Sequence, residues 1–127
     1  MDATVKCGIL VVDDEKPNLN VLNFILHREY VVYLAKDGQT ALELAEEYLP
    51  DLILLDIILP DLDGYEVMTR LKASEKTRNI PVIFITGLNS SEDVEKGLQM
   101  GAADYITKPF SAGIVLEKAR QHIRDRL

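Results

Sequence analysis

The stretch Leu52-Ile53-Leu54-Leu55-Asp56 is an apolar run that ends abruptly in a carboxylate. Continuous apolar residues are typical of a strand buried on both faces of a parallel sheet. Such a strand places Asp56 at the carboxyl edge of the sheet, where open α/β sheets bind ligands. The next residues contain Pro60 and the pair Asp63-Gly64, which predict a loop. Taken alone, an Asp at a strand end is more often a turn residue or a helix cap, so the rest of the chain decides its role.

On both sides of this strand, short apolar runs alternate with segments in which apolar residues recur at helical spacing. The runs predict strands at 8–12, 31–35, 52–56, 81–86 and 104–107. In the fourth and fifth helices, Leu98 and Ile114 are expected to lie on the apolar face. Strict alternation predicts an α/β fold, a doubly wound five-stranded parallel sheet with helices on both faces. No linker interrupts it, so residues 1–127 are expected to form a single domain.

Composition excludes several classes of protein. With 21 acidic and 14 basic residues the net charge is −7, which does not suit binding of nucleic acid. No apolar run approaches the ~20 residues of a membrane helix, and Met1–Lys6 lacks a signal-peptide pattern. We therefore expect a cytoplasmic protein that does not bind a membrane. Cys7 is the only cysteine, so there is no internal disulfide, and no Cys/His cluster suggests zinc.

Polar side chains end four of the predicted strands. Asp13 and Asp14 follow the first strand, Asp56 the third, Thr86 the fourth and Lys108 the fifth. If the strand order is 2-1-3-4-5, as in flavodoxin-like folds, these residues converge on one edge of the sheet. Three carboxylates at close range repel one another and require a cation. Oxygen ligands favour Mg²⁺ or Mn²⁺ over zinc.

This set of residues suits phosphoryl transfer, which asks a protein mainly for positioning and charge neutralisation. A carboxylate can act as the nucleophile and form an acyl phosphate. A metal ion, the ammonium of Lys108 and the hydroxyl of Thr86 would then each contact one phosphoryl oxygen.

Four motifs resemble those of the receiver domains of two-component response regulators, and the resemblance spans roughly residues 6–124. They are Val12–Glu15, Asp56–Gly64, Thr86–Gly87 and Asp104–Phe110. The resemblance implies a phosphorelay receiver of the flavodoxin-like (βα)5 fold, which signals rather than turns over a substrate. It implies that Asp56 accepts a phosphoryl group from a histidine kinase or phosphotransfer protein, with Lys108 contacting that group. Asp14, Asp56 and the backbone carbonyl of Ile58 would bind Mg²⁺ directly, and Asp13 through water.

The resemblance also implies a conformational switch. Thr86 would be the switch hydroxyl, and Tyr105 the aromatic residue that moves inward with it. The surface formed by the fourth helix, fifth strand and fifth helix would then control a downstream output domain or protein, or a phosphorylation-linked homodimer. The Lys108–Pro109 bond is expected to be cis.

Some positions depart from the common family pattern. Gly87 stands where Ala is frequent, and its lack of a Cβ would loosen the loop or widen access for phosphate. Ile58 and Leu88 are apolar and cannot orient an attacking water, so self-hydrolysis of the phosphorylated protein is expected to take minutes to hours. His122 is expected to lie away from the motifs as a surface or edge residue rather than a ligand.

Three other functions compete with this interpretation. An aspartate-based phosphatase of the haloacid dehalogenase type needs an Asp-x-Asp pattern after its first strand, and 13–15 lacks it. A pseudo-receiver with an inactive site would lack an acid or the Lys, and none is missing. An FMN carrier would need a Ser/Thr/Gly-rich phosphate loop where this chain has acidic residues.

Overall fold

A computed structural model describes residues 6–126, with the side chain of Arg126 left out. The segment Met1–Lys6, for which no signal-peptide pattern was found, therefore lies almost wholly outside the described residues. The five strands are β1 (Gly8–Val12), β2 (Val31–Ala35), β3 (Leu52–Leu55), β4 (Val82–Thr86) and β5 (Asp104–Thr107). They form one sheet in the order β2-β1-β3-β4-β5, and every neighbouring pair is parallel. The predicted flavodoxin-like topology is confirmed.

A helix follows each strand. The helices are α1 (Lys16–Leu26), α2 (Gly38–Tyr48), α3 (Gly64–Ala73), α4 (Ser91–Gln99) and α5 (Ala112–Arg126). Asp37, Asp63 and Ser90 cap the N-termini of α2, α3 and α4, because each side chain accepts a hydrogen bond from a backbone N–H in the first turn. Within the described range, no helix combines the length and apolar character that a membrane crossing would require.

Two apolar clusters cover the two faces of the sheet. The first packs α2 and α3 against one face, with Met68 and Phe84 fully buried. The second packs α1 and α5 against the other face, with Leu22 and Val115 fully buried. β3 lies between the two clusters, so all four of its residues are buried, as the continuous apolar run predicts.

Two predictions about helix faces are wrong. Leu98 is 45% exposed and Ile114 44% exposed, although both were expected to face the core. In α4 the residue that faces the sheet is Gly97, whose added Cβ would lie 3.0 Å from Phe84 Cδ2. In α5 it is Val115. Successive helical residues are about 100° apart, so the neighbours of these two residues turn outward.

Candidate phosphoryl-accepting site

The site lies at the carboxyl edge of the sheet, where β1 and β3 end side by side. Val12 pairs with Leu55, so the residues that follow, Asp13 and Asp56, emerge next to each other. The Asp56 N–H donates to the Val12 carbonyl at 3.0 Å. β2 lies on one side of this pair of strands and β4 on the other, which makes it the point where the chain reverses its winding direction. The topology therefore brings two acidic residues together at the position where such folds bind ligands.

Lys108 joins these two acids. Its ammonium donates to Oδ2 of Asp13 and to Oδ2 of Asp56, both at 2.7 Å. The Asp13 side chain is fully buried and that of Asp56 is 6% exposed. Burial alone would lower the pKa of Lys108, but the hydrogen bonds and charges of the two aspartates outweigh it and raise the pKa. Lys108 is thus a fixed positive charge between two buried carboxylates.

A cluster of acidic side chains extends from Asp13 towards solvent. Carboxylate oxygens of Asp13, Asp14 and Glu15 lie within 4.8 Å of one another, and the latter two residues are exposed. Asp56 adds a fourth carboxylate at this edge of the sheet, and Lys108, which contacts Asp13 and Asp56, offsets one of the four negative charges. The side-chain atoms available as metal ligands are all carboxylate oxygens, so these residues fit a hard divalent cation such as Mg²⁺. Glu15 was not singled out from the sequence as a candidate ligand.

The loop after β3 is held close to Asp56 at both ends. The N–H of Ile58 donates to Oδ1 of Asp56 at 3.2 Å, while Ile58 as a residue is 58% exposed. The N–H of Gly64 donates to the Ile57 carbonyl at 2.7 Å. A Cβ on Gly64 would lie 2.5 Å from the carbonyl oxygen of Asp56, so only glycine fits this approach. The loop therefore turns back tightly on the strand that carries the acid.

Thr86 and Tyr105 meet at the backbone of Leu88. The hydroxyl oxygen of Thr86 accepts a hydrogen bond from the Leu88 N–H at 3.4 Å, and the Tyr105 hydroxyl donates to the Leu88 carbonyl at 2.5 Å. Both side chains are buried, and Tyr105 already lies inward between β5 and α4. Burial raises the pKa of Tyr105 to about 12, assisted by nearby ionisable side chains. The loop between β4 and α4 is thus tied to both residues of the expected switch.

Two further features of this edge bear on the sequence predictions. The Lys108–Pro109 bond is cis, and the Lys108 N–H donates to the Thr86 carbonyl at 2.8 Å. A Cβ added at Gly87 would meet nothing within 4 Å, so the space there does not demand glycine.

His122 does not lie away from the motifs, contrary to expectation. Its Nε2 is 3.0 Å from Oδ2 of Asp104, the first residue of β5. Lys118 donates to the same oxygen at 2.9 Å. Burial raises the pKa of Asp104, but the hydrogen bonds from His122 and Lys118 outweigh this and lower it. One turn of α5 is therefore fixed to β5 beside Tyr105, a contact between distant segments that helical spacing does not reveal.

Comparison with known proteins identifies relatives over nearly the whole chain. A family model described as "Response regulator receiver domain" matches residues 9–120. The chain is 43% identical over 120 residues to the response regulator PleD of Caulobacter vibrioides. The matched region covers 94% of this chain and 26% of PleD. It is 37% identical over 126 residues to a Vibrio cholerae protein named "Probable cyclic di-GMP phosphodiesterase". That match covers 99% of this chain and 29% of the Vibrio protein. The chain thus spans between a quarter and a third of the length of these relatives.

A solved structure gives a comparison for the site. It is the receiver domain of a sensor histidine kinase from Pseudomonas aeruginosa PAO1, which contains a magnesium ion coordinated in the active site cleft. The sequences are 35% identical, the match covers 94% of this chain and 98% of that one, and the TM-score is 0.86.

Proposed function

We propose that Asp56 accepts a phosphoryl group from a phosphohistidine, since the chain belongs to the response regulator receiver domain family of two-component signalling. The observation that carries this proposal is the position of Lys108, whose ammonium bridges the buried carboxylates of Asp56 and Asp13. The same ammonium would contact a phosphoryl oxygen once Asp56 is modified. We propose that residues 1–127 form one such domain, with the carboxyl edge of its sheet as the reaction site.

In the reaction, a carboxylate oxygen of Asp56 would attack the phosphorus of the donor. A P–O bond would form as the P–N bond breaks, and the electron pair of that bond would return to the donor imidazole. A carboxylate nucleophile needs no general base. The oxygens of Asp56 accept hydrogen bonds from the Lys108 ammonium and from the Ile58 N–H, which fix their orientation. The residues around it would therefore act mainly by positioning and by charge.

Mg²⁺ is the cofactor that the acidic residues fit best, with Mn²⁺ as an alternative. We propose that Asp14, Asp56 and the backbone carbonyl of Ile58 hold the ion directly and that Asp13 does so through water. When bound, the ion would supply positive charge beside the transferring phosphoryl group. The magnesium ion in the active site cleft of the Pseudomonas receiver domain supports the choice of Mg²⁺ as the ion.

The link from Thr86 and Tyr105 to Leu88 suggests how the site would signal. If the Thr86 hydroxyl turned towards a phosphoryl oxygen, it would give up the long hydrogen bond from the Leu88 N–H. The Leu88 carbonyl is also the acceptor for Tyr105, so movement of this loop would reach the ring that packs beneath α4. Phosphorylation would in this way alter the surface formed by α4, β5 and α5, and with it a downstream output domain or protein, or a homodimer.

The apolar side chains near the site favour a long-lived acyl phosphate. The exposed Ile58 and the half-buried Leu88 offer no polar group to orient water, so self-hydrolysis would take minutes to hours. We propose a signalling role without substrate turnover, in the cytoplasm. The phosphodiesterase named among the relatives is a longer protein, of which this chain matches 29%.

Intact-mass measurement after incubation with acetyl phosphate and Mg²⁺ tests the proposal. We expect a gain of one phosphate group, absent with EDTA and absent in Asp56→Asn. Asp63→Asn is the matched control, because Asp63 is an exposed helix cap in the same loop and should leave the gain intact. Modification of Asp56→Asn to the same extent as the unaltered chain would contradict the assignment of the nucleophile.

A further inference from the structure

We propose that Asp61 is a positioning residue for the phosphorylation site, because its side chain fixes the loop after β3 to the N-terminus of α2. This inference rests on the proposed function. Oδ1 of Asp61 accepts a hydrogen bond from the Gly38 N–H at 2.7 Å, and Oδ2 accepts one from the Gln39 N–H at 2.9 Å. A single carboxylate thus uses both oxygens to join two segments that are more than 20 residues apart.

The contact lies in the part of the loop that the other hydrogen bonds leave free. The start of the loop is held at Ile58, and its end is held by the bond between Gly64 and Ile57 and by the α3 cap, Asp63. Asp61 lies between these points, three residues after Ile58, whose carbonyl is a proposed ligand for Mg²⁺. The two hydrogen bonds of Asp61 to Gly38 and Gln39 connect the loop to α2. The other hydrogen bonds named here connect the loop to itself, to Asp56 or to α3.

The packing around Gly38 shows how closely the loop approaches α2. A Cβ added to Gly38 would lie 2.9 Å from Leu62 Cβ and 2.9 Å from Val67 Cγ2. The absence of a side chain at this position brings the helix N-terminus within reach of the Asp61 carboxylate. Glycine at position 38 and the acid at position 61 are therefore two parts of one contact.

Charge suits a carboxylate at this position. The first N–H groups of a helix have no partner within the helix and form the positive end of its dipole. The hydrogen bonds from Gly38 and then Gln39, assisted by the backbone of Leu62, lower the pKa of Asp61 to about 2, so the side chain stays ionised at neutral pH. The anion is used to hold the loop in place and is not one of the acids proposed to bind the metal.

Asp37 provides a matched control within the same helix end. Its side chain accepts the next N–H of α2, that of Thr40, at 2.7 Å and makes no hydrogen bond to the loop after β3 among the described contacts. Removal of either acid weakens the N-terminus of α2, but only removal of Asp61 releases the loop. A role restricted to the stability of α2 would give the two variants the same properties.

The experiment compares Asp61→Ala with Asp37→Ala by two NMR measurements. In EDTA, we expect the Ile58 amide of Asp61→Ala to exchange with solvent about tenfold faster than in the unaltered chain, as expected when a hydrogen bond that closes the loop is lost. In a titration with Mg²⁺ alone, we expect the dissociation constant of Mg²⁺ for Asp61→Ala to be about tenfold higher than for the unaltered chain. This is the usual effect of losing a residue that supports a metal ligand. Asp37→Ala should show neither change. If Asp61→Ala does not fold, Asp61→Asn, which keeps one acceptor oxygen, is measured in the same way.

Equal exchange or equal affinity for Mg²⁺ in the Asp61 and Asp37 variants would overturn this inference and leave the proposed function standing. Failure of the unaltered chain to bind Mg²⁺ would overturn both.

Discussion

Replacement of Lys108 by Met removes the ammonium between Asp13 and Asp56 and keeps most of the aliphatic side chain. Both acceptor oxygens lie 2.7 Å from the same nitrogen, so they are at most twice that distance, or 5.4 Å, apart. At this separation two unit negative charges repel by about 3 kcal/mol with an effective dielectric constant near 20. Asp13 is fully buried and Asp56 nearly so, so solvent reduces this repulsion little.

We therefore expect Lys108→Met to lower the free energy of unfolding in EDTA by at least about 3 kcal/mol, in line with the ~3–5 kcal/mol lost when one partner of a buried ion pair is removed. The corresponding fall in Tm is roughly 10 °C for a domain of this size. A divalent cation relieves the same repulsion, so saturating Mg²⁺ should raise the Tm of Lys108→Met more than that of the unaltered chain.

Urea and thermal unfolding with EDTA or with Mg²⁺ measure both effects. The control is Lys118→Met, which removes a partly exposed ion pair with Asp104. It should cost less than ~1 kcal/mol and show no added response to Mg²⁺. If Lys108→Met in EDTA were no less stable than Lys118→Met, the ammonium of Lys108 would not be offsetting a repulsion between Asp13 and Asp56.

Three further predictions concern packing and titration. Gly64→Ala places a Cβ against the backbone of the preceding loop and should lower the free energy of unfolding by ~3 kcal/mol or more, whereas Gly113→Ala, in open space on α5, should raise it by up to ~1 kcal/mol; thermal unfolding tests both. Tyr105 has a folded-state pKa of about 12, above its ordinary value of 10.0, so its neutral form stabilises the fold and this contribution is lost as pH rises from 10 towards 12. As pH rises from 9 to 11, urea unfolding should show a smaller loss of stability in Tyr105→Phe than in the unaltered chain. Asp61 has a folded-state pKa of about 2, below its ordinary 3.8, so its contribution is present above pH 3.8 and lost as pH falls towards 2. The difference in urea midpoint between Asp61→Asn and the unaltered chain should narrow over that range.

The fold follows from the sequence because burial on both faces of a parallel sheet demands continuous apolar runs. β3 shows this most plainly, since Leu52–Leu55 is almost completely buried between the two layers of helices. Strict alternation of strands and helices then leaves few arrangements, and the order β2-β1-β3-β4-β5 is one of them. The face that each helix turns towards the sheet was harder to predict from the sequence. Leu98 and Ile114 fit an apolar stripe, but their neighbours Gly97 and Val115 are the buried residues, so Leu98 and Ile114 turn outward.

The convergence of Asp13, Asp56 and Lys108 could be predicted because topology alone brings the carboxyl ends of their strands together. Contacts between loops could not be predicted in this way. The bond from Asp61 to the start of α2 and the bond from Tyr105 to Leu88 depend on the path of each loop, which no periodic pattern encodes.

Location of the acyl phosphate in the chain tests directly whether Asp56 is the phosphoryl acceptor. The chain is treated with acetyl phosphate and Mg²⁺, reduced with borohydride, which converts a phosphorylated aspartate to homoserine, and mapped by peptide mass spectrometry. We expect homoserine at position 56 alone, and none in a sample treated with EDTA. Homoserine at position 13 or 14, or none in a folded chain that binds Mg²⁺, would contradict it.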